Sequence, residues 1–476
     1  MRSRAAPGSR ERGVFGNRTL NLRAIRAIGY DMDYTLVHYR EEQWERRAYE
    51  HARRRLAERG WPVGDLEFAF DRVTRGLVVD LELGNLLKAT RFGYVVRASH
   101  GARVLEFEEQ RRAYARTIVD LEEERYFFLN TLFSISEATL FSQLVDRYDT
   151  GRLPDVGSYA QLHRAVRGAV DAVHMEGALK QEILAAPERY VVPDPELPPA
   201  LVDQRAAGKR LLLITNSEWH YVDRILRYCL DPHLPTGTRW RHLFDVVIVG
   251  AGKPGFFGAG SPLYEVAEEG KDLLEPAPGG LREGASFHGG SAALVERHIG
   301  ASGDEILYVG DHVYADVHVS KQVLRWRTAL ILRELEEEIR TEVEFGPQLA
   351  ELGRLMSEKA KLEQELCEIQ LALQRSHSGG GPGPGRRRTA LEQSAQKLRR
   401  ELQRLDDRVA PLAKASAELG ATAWGPLMRA GNDKSLLARQ VERYADIYTS
   451  RASNLGRVTP FAYLRAPRTT LPHDPG

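Results

Sequence analysis

Four apolar segments of this chain, each long enough for one buried β-strand, are followed at once by side chains that carry chemistry. The segments cover residues 25–30, 211–214, 244–249 and 306–310. The polar residues that follow them are, in chain order, Asp31, Asp33, Thr215, Asn216, Ser217, Lys253, Asp311 and Asp316. The carboxyl ends of parallel strands meet along one edge of an open α/β sheet, where ligands bind. The pattern therefore predicts an α/β fold with one polar site at that edge.

The first segment is followed by two carboxylates only two residues apart, in the sequence Asp-Met-Asp-Tyr-Thr-Leu of residues 31–36. Such a short motif is common by chance, and a turn capped by two solvated aspartates is the alternative interpretation. The three later segments, in this order, favour phosphoryl transfer instead. In that chemistry Asp31 attacks phosphorus as the nucleophile, and Asp33 gives and later takes a proton.

The predicted reaction also needs positive charge, because a phosphate monoester is a dianion that repels an anionic nucleophile. Mg²⁺ prefers oxygen ligands, and the sequence offers the carboxylates of Asp31 and Asp311 with the backbone carbonyl of Asp33. Lys253 and Thr215 are expected to hold the phosphoryl oxygens. Asp316 is expected to orient Lys253 or the waters around the metal.

The composition agrees with a soluble enzyme of more than one domain. The chain has 476 residues, 42% of them hydrophobic, and a net charge of +1, which gives no argument for a nucleic-acid or membrane partner. The two cysteines, Cys229 and Cys367, form no disulfide framework and no zinc motif, which favours a reducing compartment. No segment approaches the length of a membrane span. We therefore expect a cytoplasmic protein.

The spacing of the segments predicts the domain organisation. Far more sequence separates the first strand from Thr215 than one crossover helix needs, which predicts an inserted, mainly helical cap. The expected parts are a flexible N-terminal arm (1–19), the first part of the core (20–91), the cap (92–181), the second part of the core (182–345), a helical hairpin (346–418) and a segment that packs on the core (419–476).

One predicted helix of the cap, residues 162–183, carries Arg167, Asp171 and His174 at i, i+4 and i+7, so that they share a face. The alternative interpretation is a solvated face with a weak ion pair. Lys180 lies beyond them in the sequence. Phe133, in an apolar stretch earlier in the cap, is interpreted either as a core residue or as a platform for a stacked base.

Leucines at heptad spacing predict two long helices in the region 346–418. The Gly- and Pro-rich stretch 376–388 between them predicts a disordered tip. We expect this hairpin to pack against the chain's own core or a sister subunit, and a dedicated binding partner is the alternative.

The sequence resembles the cytosolic purine 5′-nucleotidases, the IMP- and GMP-preferring family of the haloacid-dehalogenase (HAD) superfamily. The resemblance spans residues 20–465 approximately and rests on segments 31–36, 75–78, 84–88, 129–133, 215–217, 253–254, 289–291, 310–312 and 443–446.

The resemblance implies a HAD-like Rossmannoid parallel sheet, Mg²⁺ dependence and a homo-oligomer, either a dimer or a tetramer. It makes Asp31 the nucleophile and Asp33 the acid and base. The implied metal ligands are Asp31, Asp33 and Asp311, and the implied phosphate contacts are Thr215, Asn216, Ser217 and Lys253. The implied purine pocket consists of Phe133, which stacks on the base, and of Arg167, Asp171, His174 and Lys180.

Three functions are thus open from the sequence. The first is a Mg²⁺-dependent 5′-nucleotidase for purine nucleoside monophosphates, with transfer of the phosphoryl group to a nucleoside as a possible second activity. The second is a phosphatase for another phosphomonoester, such as a sugar phosphate. The third is a catalytically weak scaffold built on the helical hairpin.

Overall fold

The computed structural model describes residues 10–467 with the exception of 154, 176, 269–272, 378–384, 418 and 420–422. The chain divides into two compact units. One unit is Glu337–Ala421, and the other comprises Met1–Glu336 and Thr422–Gly476. Each unit is described by itself.

The strands follow in chain order. They are β1 Val14–Gly16, β2 Leu20–Asn21, β3 Ala27–Tyr30, β4 His38–Tyr39, β5 Val78–Asp80, β6 Asn85–Ala89, β7 Val95–His100, β8 Arg103–Val104, β9 Tyr126–Phe128, β10 Val191–Val192, β11 Arg210–Ile214, β12 Val246–Val249, β13 Leu263–Glu268, β14 Leu273–Pro276, β15 Ala285–Gly289, β16 Ile306–Gly310, β17 Arg327–Ile331, β18 Arg429–Ala430, β19 Asp433–Lys434, β20 Ile447–Thr449 and β21 Tyr463–Leu464.

The α-helices are likewise numbered along the chain. They are α1 Glu41–Glu58, α2 Phe107–Tyr114, α3 Ile135–Asp149, α4 Tyr159–Met175, α5 Ala178–Ala185, α6 Pro187–Tyr190, α7 Leu197–Ala206, α8 Trp219–Leu230, α9 Ala292–Ile299, α10 Val319–Leu324, α11 Leu335–Glu344, α12 Gly346–His377, α13 Gly385–Ala417 and α14 Leu436–Tyr444.

Among the described residues, the larger unit is built on a ten-stranded sheet in the order β1-β20-β17-β16-β3-β11-β12-β15-β13-β14. The strands from β20 to β15 in this order run parallel, and β1, β13 and β14 pair antiparallel at the two edges. The predicted α/β fold with a parallel sheet is thus confirmed, and each of the four apolar segments contributes one central strand.

The central strands are apolar throughout because both faces of the sheet are covered. In β11, Leu211 and Leu213 belong to one hydrophobic cluster, while Leu212 and Ile214 belong to a second. Successive side chains of a strand point to opposite faces, so the two clusters are the two sides of the sheet. All four side chains are at most 1% exposed.

The region inserted between β3 and β11 contains a five-stranded antiparallel sheet, in the order β8-β7-β6-β5-β9, as well as helices. The predicted boundary at residue 92 falls between β6 and β7, which pair with each other. The insertion therefore begins before β5, and the boundary must be moved. An apolar strand pattern gives no sign of the sheet to which a strand belongs.

The predicted helix 162–183 is two helices, α4 and α5, separated at Gly177. Gly177 has φ +79°, a left-handed conformation that interrupts a right-handed helix and suits glycine. The face of α4 with Leu162, Val166 and Val173 is buried. Arg167 and Asp171 lie on the exposed side of the same helix.

Strands near both ends of the described chain, β1 and β20, belong to the main sheet. Phe15 of β1 pairs with Tyr448 of β20, and Leu330 of β17 pairs with Tyr448 on the other side. The predicted flexible arm 1–19 is therefore too long, since residues 14–16 form a strand. Residues 1–9 lie outside the described part.

The smaller unit consists mainly of α12 and α13, which run antiparallel. Glu351 contacts Arg408 at 3.1 Å, and Lys359 contacts Asp406 at 2.5 Å. Leu355, Leu405 and Val409 pack between the helices, with Leu352, Leu362 and Leu412 beside them. The break between the helices is shorter than the predicted 376–388. The predicted disordered tip falls largely on residues 378–384, outside the described residues.

None of the helices in the described part of the chain is long and apolar enough to cross a membrane.

Candidate active site

The site lies at the carboxyl edge of the main sheet, where β16, β3 and β11 are neighbours. Asp31 follows β3 directly, Asp311 follows β16, and Thr215 follows β11. The Asp31 N–H donates to the Val309 carbonyl at 2.9 Å, so the pairing of β3 with β16 continues to the predicted nucleophile. The sheet register thus fixes the backbone of Asp31.

Three buried carboxyl groups gather at this edge. Asp31, Asp311 and Asp316 each offer one oxygen, and these oxygens lie within 4.8 Å of one another. Lys253 lies beside them, with its Nζ 2.8 Å from Asp31 Oδ1 and 2.7 Å from Asp316 Oδ1. The Lys253 ammonium also donates to the Tyr308 hydroxyl at 3.1 Å. The predicted association of Asp316 with Lys253 is present in this geometry.

Burial and mutual charge set the protonation of this cluster. Burial raises the pKa of Asp31 to about 7, although Lys253 opposes that shift. Burial by itself lowers the pKa of Lys253, but the charges of Asp31 and Asp316 raise it by more, so its pKa lies well above the usual range. Lys253 is therefore a permanent cation next to the predicted nucleophile.

The donor set fits a hard divalent cation. Asp311 Oδ2 is buried without a hydrogen-bond partner in the described structure, and burial raises the pKa of Asp311 well above its usual range. An orphaned buried carboxylate oxygen is costly unless a cation or donor satisfies it. Asp31 and Asp311, the predicted side-chain ligands, and also Asp316 could hold Mg²⁺ through oxygen.

Asp33 is not a member of that carboxylate cluster. Its Oδ1 accepts a hydrogen bond of 2.5 Å from the Tyr39 hydroxyl, and its Oδ2 accepts one of 2.6 Å from the Ser217 hydroxyl. The carboxyl group is therefore held apart from the predicted metal ligands. The backbone carbonyl of Asp33 remains its predicted ligand to the metal.

Residues 215–217 form a tight loop after β11. Thr215 Oγ1 accepts the Ser217 N–H at 3.1 Å. The Asn216 side chain joins this loop to the next, since its Oδ1 accepts the Lys253 N–H at 2.7 Å and its Nδ2 donates to the Lys253 carbonyl at 3.1 Å. Asn216 thus fixes the backbone of Lys253 in addition to its predicted place beside the phosphate.

A cavity of about 940 Å³ opens at this edge of the sheet. Its lining includes every residue of the predicted purine pocket, namely Phe133, Arg167, Asp171, His174 and Lys180, together with Asp33, Asn216 and Ser217. The face of α4 with Arg167, Asp171 and His174 therefore lines the same cavity as Asp33, the predicted acid and base.

Aromatic rings form one wall of the cavity. The Phe133 ring lies 5.2 Å from the His174 ring, 4.8 Å from Tyr34 and 5.5 Å from Trp44. Phe133 thus belongs to an aromatic cluster and borders the cavity as well. Burial lowers the pKa of His174 to about 4, which leaves a neutral ring, and among the described residues its buried Nε2 has no hydrogen-bond partner.

Arg167 and Asp171 lie beside this wall. The Arg167 guanidinium is 4.5 Å from the centre of the Phe127 ring and 3.6 Å from Asp171. Both side chains of the ion pair are about half exposed, at 45% and 60%, so the pair itself contributes little to stability. Their charged groups remain accessible to a ligand.

Lys180 lies nearer to the acid and base than its assignment to the purine pocket implies. Its Nζ donates to Ser217 Oγ at 3.2 Å and lies 5.0 Å from the centre of the Tyr221 ring. Lys180 therefore places a positive charge beside the loop of residues 215–217.

Several residues of the site were not predicted from the sequence. The hydroxyls of Tyr39 and Tyr308 contact Asp33 and Lys253. Arg75 donates to the Asp311 carbonyl at 3.4 Å and to Glu334 at 2.7 Å. Arg75 is the first residue of segment 75–78, which contributes to the family resemblance. That resemblance was the available indication of a role for Arg75. The tyrosines are ordinary core residues by pattern, and the fold brings them to the site.

A sequence model of the 5′ nucleotidase family matches residues 14–476. A 5′-nucleotidase domain-containing protein of Dictyostelium discoideum is 28% identical over 476 residues, which cover 97% of this chain and 74% of that protein. The human 5′-nucleotidase domain-containing protein 2 is 31% identical over 343 residues, 69% of this chain and 64% of that protein. The chain thus spans less than two thirds of the human relative.

Two solved structures are similar in part. An archaeal β-phosphoglucomutase from Pyrococcus has a TM-score of 0.30 at 10% identity and covers 65% of this chain and 87% of its own. CbbY from Rhodobacter sphaeroides, in complex with phosphate, has a TM-score of 0.24 at 16% identity. The match covers 64% of this chain and 86% of the CbbY chain.

The family match covers almost the whole described chain and includes the four strand ends that carry the site. The chain belongs to the 5′ nucleotidase family and is a phosphoric monoester hydrolase.

Proposed function

We propose that this protein hydrolyses purine nucleoside 5′-monophosphates with Mg²⁺ through a phosphorylated Asp31. One observation carries the proposal. The Lys253 and carboxylate cluster lies at the same sheet edge as a cavity that Phe133, Arg167 and His174 line. The cluster supplies the groups that phosphoryl transfer needs, and the cavity supplies an aromatic and polar surface of the kind that binds a purine.

In the first step an oxygen of Asp31 attacks phosphorus while the bond to the nucleoside oxygen breaks. Asp33 gives its proton to that oxygen, and the nucleoside leaves as a neutral alcohol. Lys253 contacts Asp31 at 2.8 Å and so lies where it would oppose the negative charge of the phosphoryl group. When bound to Asp31 and Asp311, Mg²⁺ would neutralise part of the charge of the phosphate dianion.

In the second step water attacks the phosphorus on Asp31. Asp33, now ionised, takes a proton from this water, and the phosphorus–Asp31 bond breaks to release inorganic phosphate. Both residues return to their starting states. A nucleoside hydroxyl in place of water would give phosphotransfer by the same route.

Recognition of the base would fall to the far end of the cavity. Stacking of a base on an aromatic ring contributes about 1–3 kcal/mol, and Phe133 and Trp44 supply such rings. The exposed groups of Arg167 and Asp171 supply hydrogen-bonding partners for the purine edge, and the His174 side chain lines the cavity beside them.

The proposal is tested by measuring inorganic phosphate release from IMP, GMP, AMP, CMP, UMP and sugar phosphates, each with Mg²⁺ and with a chelator. We expect release from IMP and GMP that needs Mg²⁺. Release from sugar phosphates alone would retain the core chemistry and contradict the purine pocket, and no release from any substrate would favour the scaffold hypothesis.

Three variants separate the parts of the proposal. Asp31→Asn should reduce turnover of every substrate to background and leave the circular dichroism spectrum unchanged, and retained turnover would contradict the role of Asp31. Phe133→Ala and His174→Ala should raise KM for IMP at least tenfold and leave that for a sugar phosphate nearly unchanged.

A further inference from the structure

The carboxyl group of Asp33 is held by two hydroxyl groups in different surroundings. Tyr39 donates to Oδ1 at 2.5 Å, and Ser217 donates to Oδ2 at 2.6 Å. The Tyr39 hydroxyl is itself 3.0 Å from the Tyr221 hydroxyl, which gives it a second hydrogen-bond partner. The two oxygens of Asp33 are therefore not equivalent.

Tyr39 is fixed on every side. Its side chain is buried, and its ring packs at 4.4 Å from Trp44 and 5.2 Å from Tyr34. It belongs to β4, where it pairs with Val191 of β10. A ring in this environment has no room to turn away from Asp33.

Ser217 is placed differently, because it borders the cavity. Its hydroxyl also accepts a hydrogen bond from Lys180. A serine hydroxyl can rotate about one bond and keep that partner. Ser217 is thus the contact of Asp33 that an incoming ester oxygen can replace, and Oδ2 is the oxygen on the cavity side.

We propose that Tyr39 is a positioning residue for the acid and base, which anchors Oδ1 of Asp33 and leaves Oδ2 to exchange the proton. The inference rests on the proposed acid and base role of Asp33. In the first step the proton on Oδ2 passes to the ester oxygen as its bond to phosphorus breaks. In the second step a proton of water returns to Oδ2, and Tyr39 keeps its own proton throughout.

The test compares two substrates that differ in how much they need an acid. Phenolate is a poor leaving group and 4-nitrophenolate a good one, so protonation matters much more for phenyl phosphate than for 4-nitrophenyl phosphate. The measurement is kcat/KM with Mg²⁺, since it reports the steps up to cleavage of the ester bond. Neither substrate contains a purine, so the result does not depend on the purine pocket.

In Tyr39→Phe we expect kcat/KM for phenyl phosphate to fall about 10- to 100-fold, which is less than the roughly 10²- to 10⁴-fold contribution of a general acid because Asp33 itself is retained. For 4-nitrophenyl phosphate we expect a fall of less than about threefold. Equal falls for both substrates, or no fall for either, would overturn the proposal. Circular dichroism and thermal unfolding check that the variant is folded.

Two further variants keep the test sharp. Ser217→Ala should lower kcat/KM for both substrates by the same factor, because it removes a group next to the phosphate and leaves the hydrogen bond from Tyr39 to Asp33 in place. If Ser217→Ala lowers kcat/KM for phenyl phosphate alone, the assignment of the two oxygens is overturned. This outcome can be read even if Tyr39→Phe does not fold.

The reference variant is Asp33→Asn. It should lower kcat/KM selectively for phenyl phosphate, as Tyr39→Phe does, but by a larger factor. If Asp33→Asn lowers kcat/KM equally for both substrates, Asp33 is not the acid, and the inference about Tyr39 fails as well. If Asp33→Asn is selective and Tyr39→Phe is not, the acid role stands and the inference alone is overturned.

Discussion

Lys253 carries the charge balance of the site at the scale of single residues. Its ammonium lies within 2.8 Å of Asp31 and Asp316, and its side chain is 3% exposed. A buried charge is tolerated only when it is paired and hydrogen-bonded. The same contact that prepares the site for a phosphate dianion therefore also supports the fold.

Removing that cation should destabilise the protein. In Lys253→Met the carboxylates of Asp31 and Asp316 lose their buried partner, and breaking a buried pair costs about 3–5 kcal/mol. We expect a loss of this size in the free energy of unfolding by urea, measured in chelator. Mg²⁺ should restore part of it, because a ligand that binds only the folded state stabilises that state.

A second background isolates the cause. In Asp316→Asn one of the two partners is already neutral, so the further change Lys253→Met should cost less there than in the native chain. An equal cost in both backgrounds would mean that the loss comes from packing and not from the charge pair.

At the scale of elements, the sequence predicted the strands of the site and missed their surroundings. The central strands are buried on both faces, so a run such as Leu211–Ile214 is apolar throughout and easy to detect. The polar residues after them follow from the same pattern. The boundary of the insertion and the break at Gly177 depend on long-range pairing and on one left-handed residue.

The contacts that orient the reacting groups could not be predicted either. The Tyr39 hydroxyl of β4 contacts Asp33, and the Tyr221 hydroxyl of α8 contacts Tyr39, because the fold brings these side chains together. Nothing in their local sequence separates them from ordinary core tyrosines. The shared helix face of Arg167, Asp171 and His174 follows from their spacing, which is a local property. Their place in a purine pocket was implied only by the family resemblance, and all three line the cavity.

The end of β16 shows how an element positions a side chain. A methyl group on Gly310 would lie 2.5 Å from Asp316 Oδ2 and 2.6 Å from its Cβ. Gly310→Ala should therefore displace Asp316 from Lys253 and from the His312 N–H, which it accepts at 3.2 Å. We expect kcat to fall at least tenfold and stability to fall by about 1–3 kcal/mol, the usual cost of overpacking.

Gly168→Ala is the matched control for this substitution. Apart from its chain neighbours and the backbone of its own helix, no atom of the described residues lies within 4 Å of a methyl group on Gly168, and the residue lies on the exposed face of α4. Alanine is favoured over glycine inside a helix by about 0.5–1 kcal/mol. The control should gain stability by that amount in urea unfolding, whereas a loss of activity or stability there would discredit the reading of Gly310→Ala.

At the scale of the whole molecule, the order of strands in the sheet departs from their order along the chain. β20 follows the helices α12 and α13 in the sequence, yet it pairs with β17 inside the main sheet and with β1 at the edge. Asp446, just before β20, is buried and contacts Lys321 at 2.6 Å and Arg327 at 3.2 Å. The last part of the described chain thus completes the sheet that carries the site.

Cutting the chain between α12 and α13 tests this arrangement. A specific protease site inserted among residues 378–384 would separate two fragments, of which the second carries α13, α14 and β20. Because α13 packs on α12, and because β20 is held by strand pairing and by the ion pairs of Asp446, we expect the fragments to elute together from a sizing column. Phosphate release should stay within about twofold of the uncut protein.

Asp446→Ala should weaken the attachment of the second fragment, and it leaves the inserted protease site unchanged. It removes the buried partner of Lys321 and Arg327, so the cut variant should lose the second fragment at a lower urea concentration than the cut parent protein. Full activity of a first fragment purified free of the second would show that β20 is dispensable. A sheet that ends at β17 would then be enough to hold Asp31 and Asp311 in register.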